Sequence, residues 1–478
     1  MKDRGKVTIF LCLITTGMVM LGMASMRIVS IYCAKGKAAI VSNISMSDVK
    51  ANYNSYIFEH YHILLFDKNR YGCGEGAVEE RMEELTRSNL DDEYAVQGVY
   101  ITNYSMIYDN ECEELKKQIE ENSNYEVLTY GIDKIQEKLN DREGSYSDIL
   151  EEDMNAVCED SLNETESTEE GQADGNDSIN QGEKVEDPRE YTKTTDAEGL
   201  LLTLLLPPDR EVSREKIAYE DLVSVFGVYK PDFMNTNIEF DDYNRLKQDM
   251  KNHSTWGNSL VEKANTLMYS GAVFNCFTEN CINSDSVLEC EIEYIISGKD
   301  SDYANLEEAC KKIIAIRLPM NMSYIVTDTA KMSTIRSISV PLSAASLFLS
   351  EPVIRYLIAG AWSYIEAMSE VRNLLAGNRL DFVKTKDTWL TDITDIGSSL
   401  ENEQDSDKGL CYKDYLMILL AMEDDNIYYR MLDIMDINTR KHQPEFKMLF
   451  GATELEADFD ILFQERDVSV HQKFSYIQ

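Results

Sequence analysis

The sequence predicts an α+β protein: an N-terminal transmembrane helix continues into a long helix, and the body outside the membrane packs helices on an antiparallel sheet. Three observations predict it. Residues 7–26 are an apolar run without a charge, apolar residues recur at helical spacing through much of the rest, and a few stretches are β-branched or alternate with period two.

The anchor comes first. VTIFLCLITTGMVMLGMASM covers twenty positions, and at about 1.5 Å per residue that spans a hydrocarbon core of about 30 Å. A cleaved signal peptide competes with this reading, because Lys2, Arg4 and Lys6 form a basic leader and Gly22-Met23-Ala24 resembles a cleavage site. Both readings carry the body out of the cytoplasm. Flanking charges tie, with Arg27, Lys35 and Lys37 opposing the leader bases, so the six-residue tail decides for N-in, C-out.

The linear organisation is then a cytoplasmic tail (1–6), the anchor (7–26), a stalk helix with a first α+β segment (27–137), an acidic disordered linker (138–198) and a main α+β body (199–478). From Arg27 to about Tyr61 nothing breaks a helix. Met46, Val49, Tyr53, Tyr56 and His60 step along it by 3 and 4 residues, which is a buried stripe. The part nearer the bilayer, around Ile28, Ile31 and Ala38, is the expected assembly face. Residues 94–108 read as strand and 113–141 as helix.

Between 151 and 190, fifteen acids stand against two bases with almost no large apolar residue. Such a segment cannot offset its own ordering entropy, and disorder is expected. Order resumes at LLLTLLLPP, stopped by Pro207 and Pro208. Residues 287–297 (VLECEIEYIIS) alternate as a strand, and 302–317 read as a helix capped by Asp300 or Ser301. Residues 357–376 form a helix closed by Gly377. Two further helices are expected at 412–422 and 427–437, and a terminal strand pair at 459–465 and 470–477.

Charge excludes one class of partner. With 86 Asp and Glu against 46 Lys and Arg, the chain carries -40, and a polyanion gains nothing from phosphate counterion release, so nucleic acid is excluded. Ten cysteines lack any CxxC spacing, which argues against structural zinc. Cys276 and Cys281 could pair with each other or with Cys290 in an exported body; free buried thiols are the preferred reading.

Catalytic signatures are few. The chain lacks a GxSxG elbow and a P-loop. His60 and His62, two apart, fall on different helix faces, unlike a metal-binding i, i+4 pair. The stretch 67–72 begins like a calcium loop, but Tyr71 and Val78 stand where ligands belong, so it reads as a turn. Glu366 and Glu370 share a helix face and read as a solvated pair. No catalytic residue, cofactor or metal is therefore expected.

Several motifs together resemble a family. They are GKVTIFL at 5–11 with Arg27 and 53–66; EYIISGK at 293–299, including Tyr294 and Gly298, with Asn305, Arg317 and Asn321; WSYIE at 362–366, with Trp362 and Glu366, followed by LLAG ending at Gly377, Lys384 and Trp389; and YKDYL at 412–416, with Tyr412 and Tyr415. This combination resembles an uncharacterised family of clostridial single-span surface proteins whose anchor is similar to TadE-like components of Tad (Flp) pilus systems. The resemblance implies a membrane-anchored accessory of a pilus-like or secretion assembly, with protein partners and no assigned activity. Ser25 stands where those relatives carry Glu, and Phe10 stands five residues after Gly5, so prepilin processing is not expected. The expectation is thus a structural or adaptor protein. Its alternatives are an enzyme acting on envelope polymers through carboxylates such as Glu366 or Asp414, and a ligand-binding ectodomain.

Overall fold

The computed structural model describes residues 2–74, 76–123, 187–195, 200–217, 222–227, 260–279, 286–345, 349–424 and 426–477. The acidic stretch 151–186 and Cys281 lie outside them. In chain order the elements of the first part are α1 (Lys2–Ala51), α2 (Ser55–Tyr61), β1 (Phe66–Asp67), α3 (Ala77–Ser88), β2 (Tyr94–Met106) and α4 (Asp109–Ser123). Next come α5 (Pro188–Thr195), α6 (Leu200–Leu205), α7 (Val223–Gly227), α8 (Leu260–Val273), α9 (Glu291–Ser297), α10 (Asp302–Thr327), α11 (Thr329–Ala345) and α12 (Glu351–Leu375). The chain ends with α13 (Ile396–Ser399), α14 (Tyr412–Met422), α15 (Asn426–His442), β3 (Gly451–Phe463) and β4 (Arg466–Ser475). The class is α+β, as the sequence predicts.

Two compact units divide the chain, one of Met1–Ile119, Asp221–Pro231 and Leu432–Gln478, the other of Glu120–Glu220 and Asp232–Met431. The division in space is therefore not a single cut at the acidic segment, because the C-terminal hairpin belongs with the N-terminal residues.

In the first unit β3 is the central strand. It pairs antiparallel with β2 along one edge and with β4 along the other, where β1 adds two residues. Its side chains alternate cleanly: Thr453, Leu455, Ala457, Phe459, Ile461 and Phe463 are buried, while Glu454, Glu456, Asp458 and Asp460 lie on the other side. Against the buried row lie Ala34, Ala38, Met46 and Val49 of α1 and Val78 and Met82 of α3. The small alanines let the helix approach the sheet. The β3–β4 turn places Gln464 and Glu465 at positive φ (47° and 65°), the positions a two-residue turn demands.

α1 is the element that carries the long apolar run. From Ile9 to Met26 its large apolar side chains are exposed, and the helix is long and apolar enough to cross a bilayer. The expected continuation to Tyr61 is corrected: α1 stops at Ala51. Asn52 turns its side-chain amide back onto the Asp48 carbonyl at 2.7 Å, and Asn54 caps a new helix by accepting from the Ile57 N–H at 3.1 Å. The stripe splits there, since Met46 and Val49 are buried whereas Tyr53 is 37% exposed. Ala38, expected on an assembly face, is also corrected, because it sits in the core.

The second unit is helical in its described residues. The strand expected at 287–297 is corrected to the helix α9. Its alternation was misleading because Glu291 and Glu293 are buried with their apolar neighbours rather than facing water. α10 begins at a Ser301 cap and runs ten residues past Arg317, through Pro319, to Thr327. α12 ends where Gly377 adopts φ 95°.

Replacing Met46 with Ala should cost about 2–5 kcal/mol in denaturant unfolding of detergent-solubilised protein. Tyr53→Ala should cost less than that, because Tyr53 is 37% exposed and not part of the core cluster.

Candidate functional site

The second unit contains a cluster of buried charges, assembled by α10, α12 and the loop that follows α12. Glu366 and Glu370 lie one turn apart on α12. The expectation of a solvated face is corrected: both are fully buried, because α5, α6, α10, α11 and α14 all pack on this helix. Their carboxylates persist there because cations meet them.

Arg317 of α10 is likewise fully buried. Its Nε donates to Glu370 Oε2 at 2.8 Å and its Nη2 to Glu370 Oε1, a bidentate pair. The remaining fork nitrogen, Nη1, donates to the Phe382 carbonyl at 2.9 Å and to the Tyr415 hydroxyl at 3.1 Å. Asn321, one turn beyond Arg317, donates to Glu370 Oε2 at 2.9 Å. Lys384 bridges the two acids, 2.5 Å from Glu366 Oε1 and 2.8 Å from Glu370 Oε1. Glu366 also accepts from the backbone N–H groups of Leu390 and Thr391, both at 2.8 Å, and from the Thr391 hydroxyl at 2.6 Å. Each of the four carboxylate oxygens thus holds two donors, and two acids balance two bases.

Burial alone would push the Glu370 carboxyl up, but Arg317 and Lys384 outweigh it and hold the group down at about 2. Its folded value lies below the ordinary 4.5, so its stabilisation is present above that pH and is lost as pH falls toward 2. Burial pushes the Tyr415 hydroxyl up to about 12, which keeps it a neutral partner of Arg317.

An aromatic group borders the charges. Trp362 donates to Thr391 Oγ1 at 2.9 Å, and Trp389 to the Thr391 carbonyl at 2.9 Å. The two indoles meet edge to face at 5.6 Å, and Tyr324 stacks on Trp389 at 5.5 Å. The Lys331 ammonium lies 4.4 Å from the Trp362 ring and 4.0 Å from the Trp389 ring. Burial pushes this amine down to about 8, against the pull of Glu366 and Asp328.

A second polar group joins α9, α10 and α14. Tyr412 donates to Glu293 Oε1 at 3.0 Å, and the Phe277 N–H donates to the same oxygen at 3.0 Å. Glu293 Oε2 has no partner, and burial raises this carboxyl to about 7. Cys276, Cys290 and Cys310 are free and buried; burial pushes the Cys276 thiol up to about 12 and raises the other two. Asn305 pins the end of α9, accepting from the Ser297 hydroxyl at 2.7 Å and the Lys299 N–H at 2.8 Å. Gly298 turns there with φ 62°, and an added Cβ would meet Arg430 Nε at 2.8 Å.

The motif positions therefore divide. Arg317, Asn321, Trp362, Glu366, Lys384, Trp389 and Tyr415 converge on one cluster. Tyr412, Gly298 and Asn305 belong to the second group, where Tyr294 is buried on α9. Gly377 stops α12, and Arg27 is an exposed residue of α1. Sequence reasoning missed Glu370 as a partner of Arg317, missed Thr391 and Lys331, and quoted Glu293 only as the first residue of the 293–299 motif. An acid four residues from a motif glutamate, on a helix with little polar surface, was the available signal.

Chemically this arrangement fixes a loop. Every oxygen of the two carboxylates is doubly occupied, so Glu366, offered above as a catalytic carboxylate, is engaged in holding this loop. Asp414 is engaged too, accepting from the Cys411 N–H at 2.9 Å as a helix cap.

Fold and site together define an α+β protein with one N-terminal helix fit to cross a membrane and a charge-locked helical unit. Residues 178–462 match a family of unknown function, DUF5702. That is more than half of the chain, and the protein belongs to this family. The matched region holds the motif stretches from Glu293 onward, whereas 5–11, Arg27 and 53–66 lie outside it. No curated protein matches the chain, and no solved structure does.

Removing one member of the buried pair should be costly. Arg317→Met should destabilise by about 3–5 kcal/mol, because Glu370 loses its bidentate partner. The double variant Arg317→Met/Glu370→Leu should cost less than either single change in urea unfolding. Additive losses would show that the pair is not coupled.

Proposed function

We propose that the protein is a membrane-anchored structural or adaptor component, its body outside the cytoplasm, accessory to a pilus-like or secretion assembly of the Tad (Flp) kind. The observation that carries this reading is the continuity of α1. One helix supplies the apolar span and, without a break, the Ala34–Val49 residues of the sheet unit's core. Movement of the anchor is thereby transmitted to a folded body, as an assembly subunit requires.

The same helix keeps an apolar outward side. Tyr32, Ile40 and Ile44 are exposed beyond the span, and open space surrounds Gly36 between them. A neighbouring helix would find large side chains flanking a close-approach point. The assembly class itself rests on the motif resemblance. The carboxylates named for the rival enzyme reading, Glu366 and Asp414, accept hydrogen bonds within the helical unit, which supports a structural role for them.

Ile40→Asp/Ile44→Asp in the full-length protein should sharply reduce crosslinking to partner subunits in native membranes while changing stability by less than about 0.5 kcal/mol, as for other surface changes. A cysteine at Ser178 should react with an impermeant reagent on intact cells. Unchanged crosslinks would count against the adaptor reading, and labelling only after lysis against the orientation.

A further inference from the structure

The side of α1 that does not meet the sheet carries a regular pattern. Two series interleave along it, one at every seventh residue from Cys12 to Ser47 and one at every seventh from Thr15 to Asn43, so that the steps alternate 3 and 4 without a slip. All eleven residues are exposed, Met26 by 78%, Val29 by 60% and Ile40 by 64%. The buried residues Ala34, Ala38, Val41, Met46 and Val49 fall between them on the opposite side. None of the eleven is charged, whereas the charges that follow the apolar run, Arg27, Lys35, Lys37, Asp48 and Lys50, all lie off the series.

The period decides what covers this seam. A stripe lying against lipid or a flat body follows the 3.6-residue turn of the helix. One that keeps to 3.5 residues winds slowly around the axis, and stays covered only by a second helix that winds with it. The seam also continues past the apolar run, through Val29, Cys33, Gly36 and Ile40, where lipid tails no longer reach. Among the described residues α1 is the one helix long and apolar enough to cross a membrane, so a companion over this length is the helix of another chain.

The seam matches itself. In a parallel pair in register every position meets its own copy, which brings Gly22 to Gly22 and Gly36 to Gly36. Open space surrounds both glycines, and backbones approach closely at such points. Asn43 meets Asn43, and because an amide carries both donor and acceptor, two of them satisfy each other. An uncharged seam has no sign with which to select an oppositely charged partner. With its flanking positions, among them Tyr32 and Ile44, the seam offers about 20 residues a side, the size of a stable interface.

We propose that α1 pairs with α1 of a second copy of this chain, parallel and in register, along the seam from Cys12 to Ser47. The proposal rests on the anchored assembly reading above and names the partner that takes the apolar outward side of α1.

The test uses the full-length protein in native membranes, with Cys33 kept as the reactive cysteine and Cys12, Cys73, Cys158, Cys281 and Cys411 replaced by Ser. Mild oxidation with copper phenanthroline should join Cys33 to Cys33 of a second copy, giving a reducible product of twice the chain's mass. Moving the thiol off the seam, with Cys33→Ser and Lys35→Cys, should lower that product several-fold. Gly22→Ile/Gly36→Ile should lower it as well while thermal unfolding of the body stays unchanged, because each new side chain enters open space in the single chain. Equal yields at 33 and 35 would mark chance collision and overturn the proposal, as would the absence of a dimer at 33. A conjugate of another mass at 33 also overturns self-pairing, yet leaves the assembly reading standing, since a different subunit then occupies the same side. A chain that forms no conjugate of any mass, with the oxidant or with an amine-reactive crosslinker, removes both.

Discussion

The burial of α1 beneath the β-sheet is the constraint on which the sheet unit depends. Ala34, Ala38, Met46 and Val49 cover the row of β3 side chains that would otherwise face water, and a small sheet with one uncovered apolar face is not independently stable. The strands it covers come from residues 66–106 and 451–475, so the helix also gathers distant parts of the chain. That same helix is the one long and apolar enough to cross a membrane, so the apolar run and the sheet core lie on one continuous element.

The helical unit is organised by a different force. Arg317, Glu366, Glu370 and Lys384 give up hydration to lie in the interior, and such a cluster contributes less net stability than apolar packing of equal volume. What it adds is position. Lys384, Leu390 and Thr391 are held against α12 by the two carboxylates, and Thr391 in turn holds Trp362 and Trp389. The loop after Gly377 therefore has a fixed path although it has little regular secondary structure.

Much of this was legible in the sequence, for identifiable reasons. The long apolar helix followed from twenty uncharged positions, β2 from its β-branched and aromatic run, and α12 from helical periodicity ended by Gly377. The C-terminal hairpin showed through side-chain alternation, since Gln464-Glu465 lacks the glycine or asparagine that usually marks such a turn. Failures arose where polar residues are inside. Glu291 and Glu293 imitated the outward half of a strand, and Glu366 with Glu370 imitated a solvated helix face. One sequence gives no sign that a glutamate has an arginine waiting 53 positions away. The break at residues 52–54 was readable from Asn52 and Asn54 as capping residues, but the apolar stepping across it masked that signal. The motif positions were better placed than understood: they mark the convergence of elements without revealing that the convergence is a lock.

The coupling of anchor and fold is tested most directly by two truncations compared in thermal unfolding. Deleting residues 2–33 removes the exposed, span-bearing part of α1 and should leave the sheet unit's cooperative transition in place. Deleting residues 2–51 removes the helix that covers β3 and should abolish that transition. If both truncated proteins unfold alike, with the sheet intact in each, α1 is only a tether, and the dependence of the sheet on the anchor helix is contradicted.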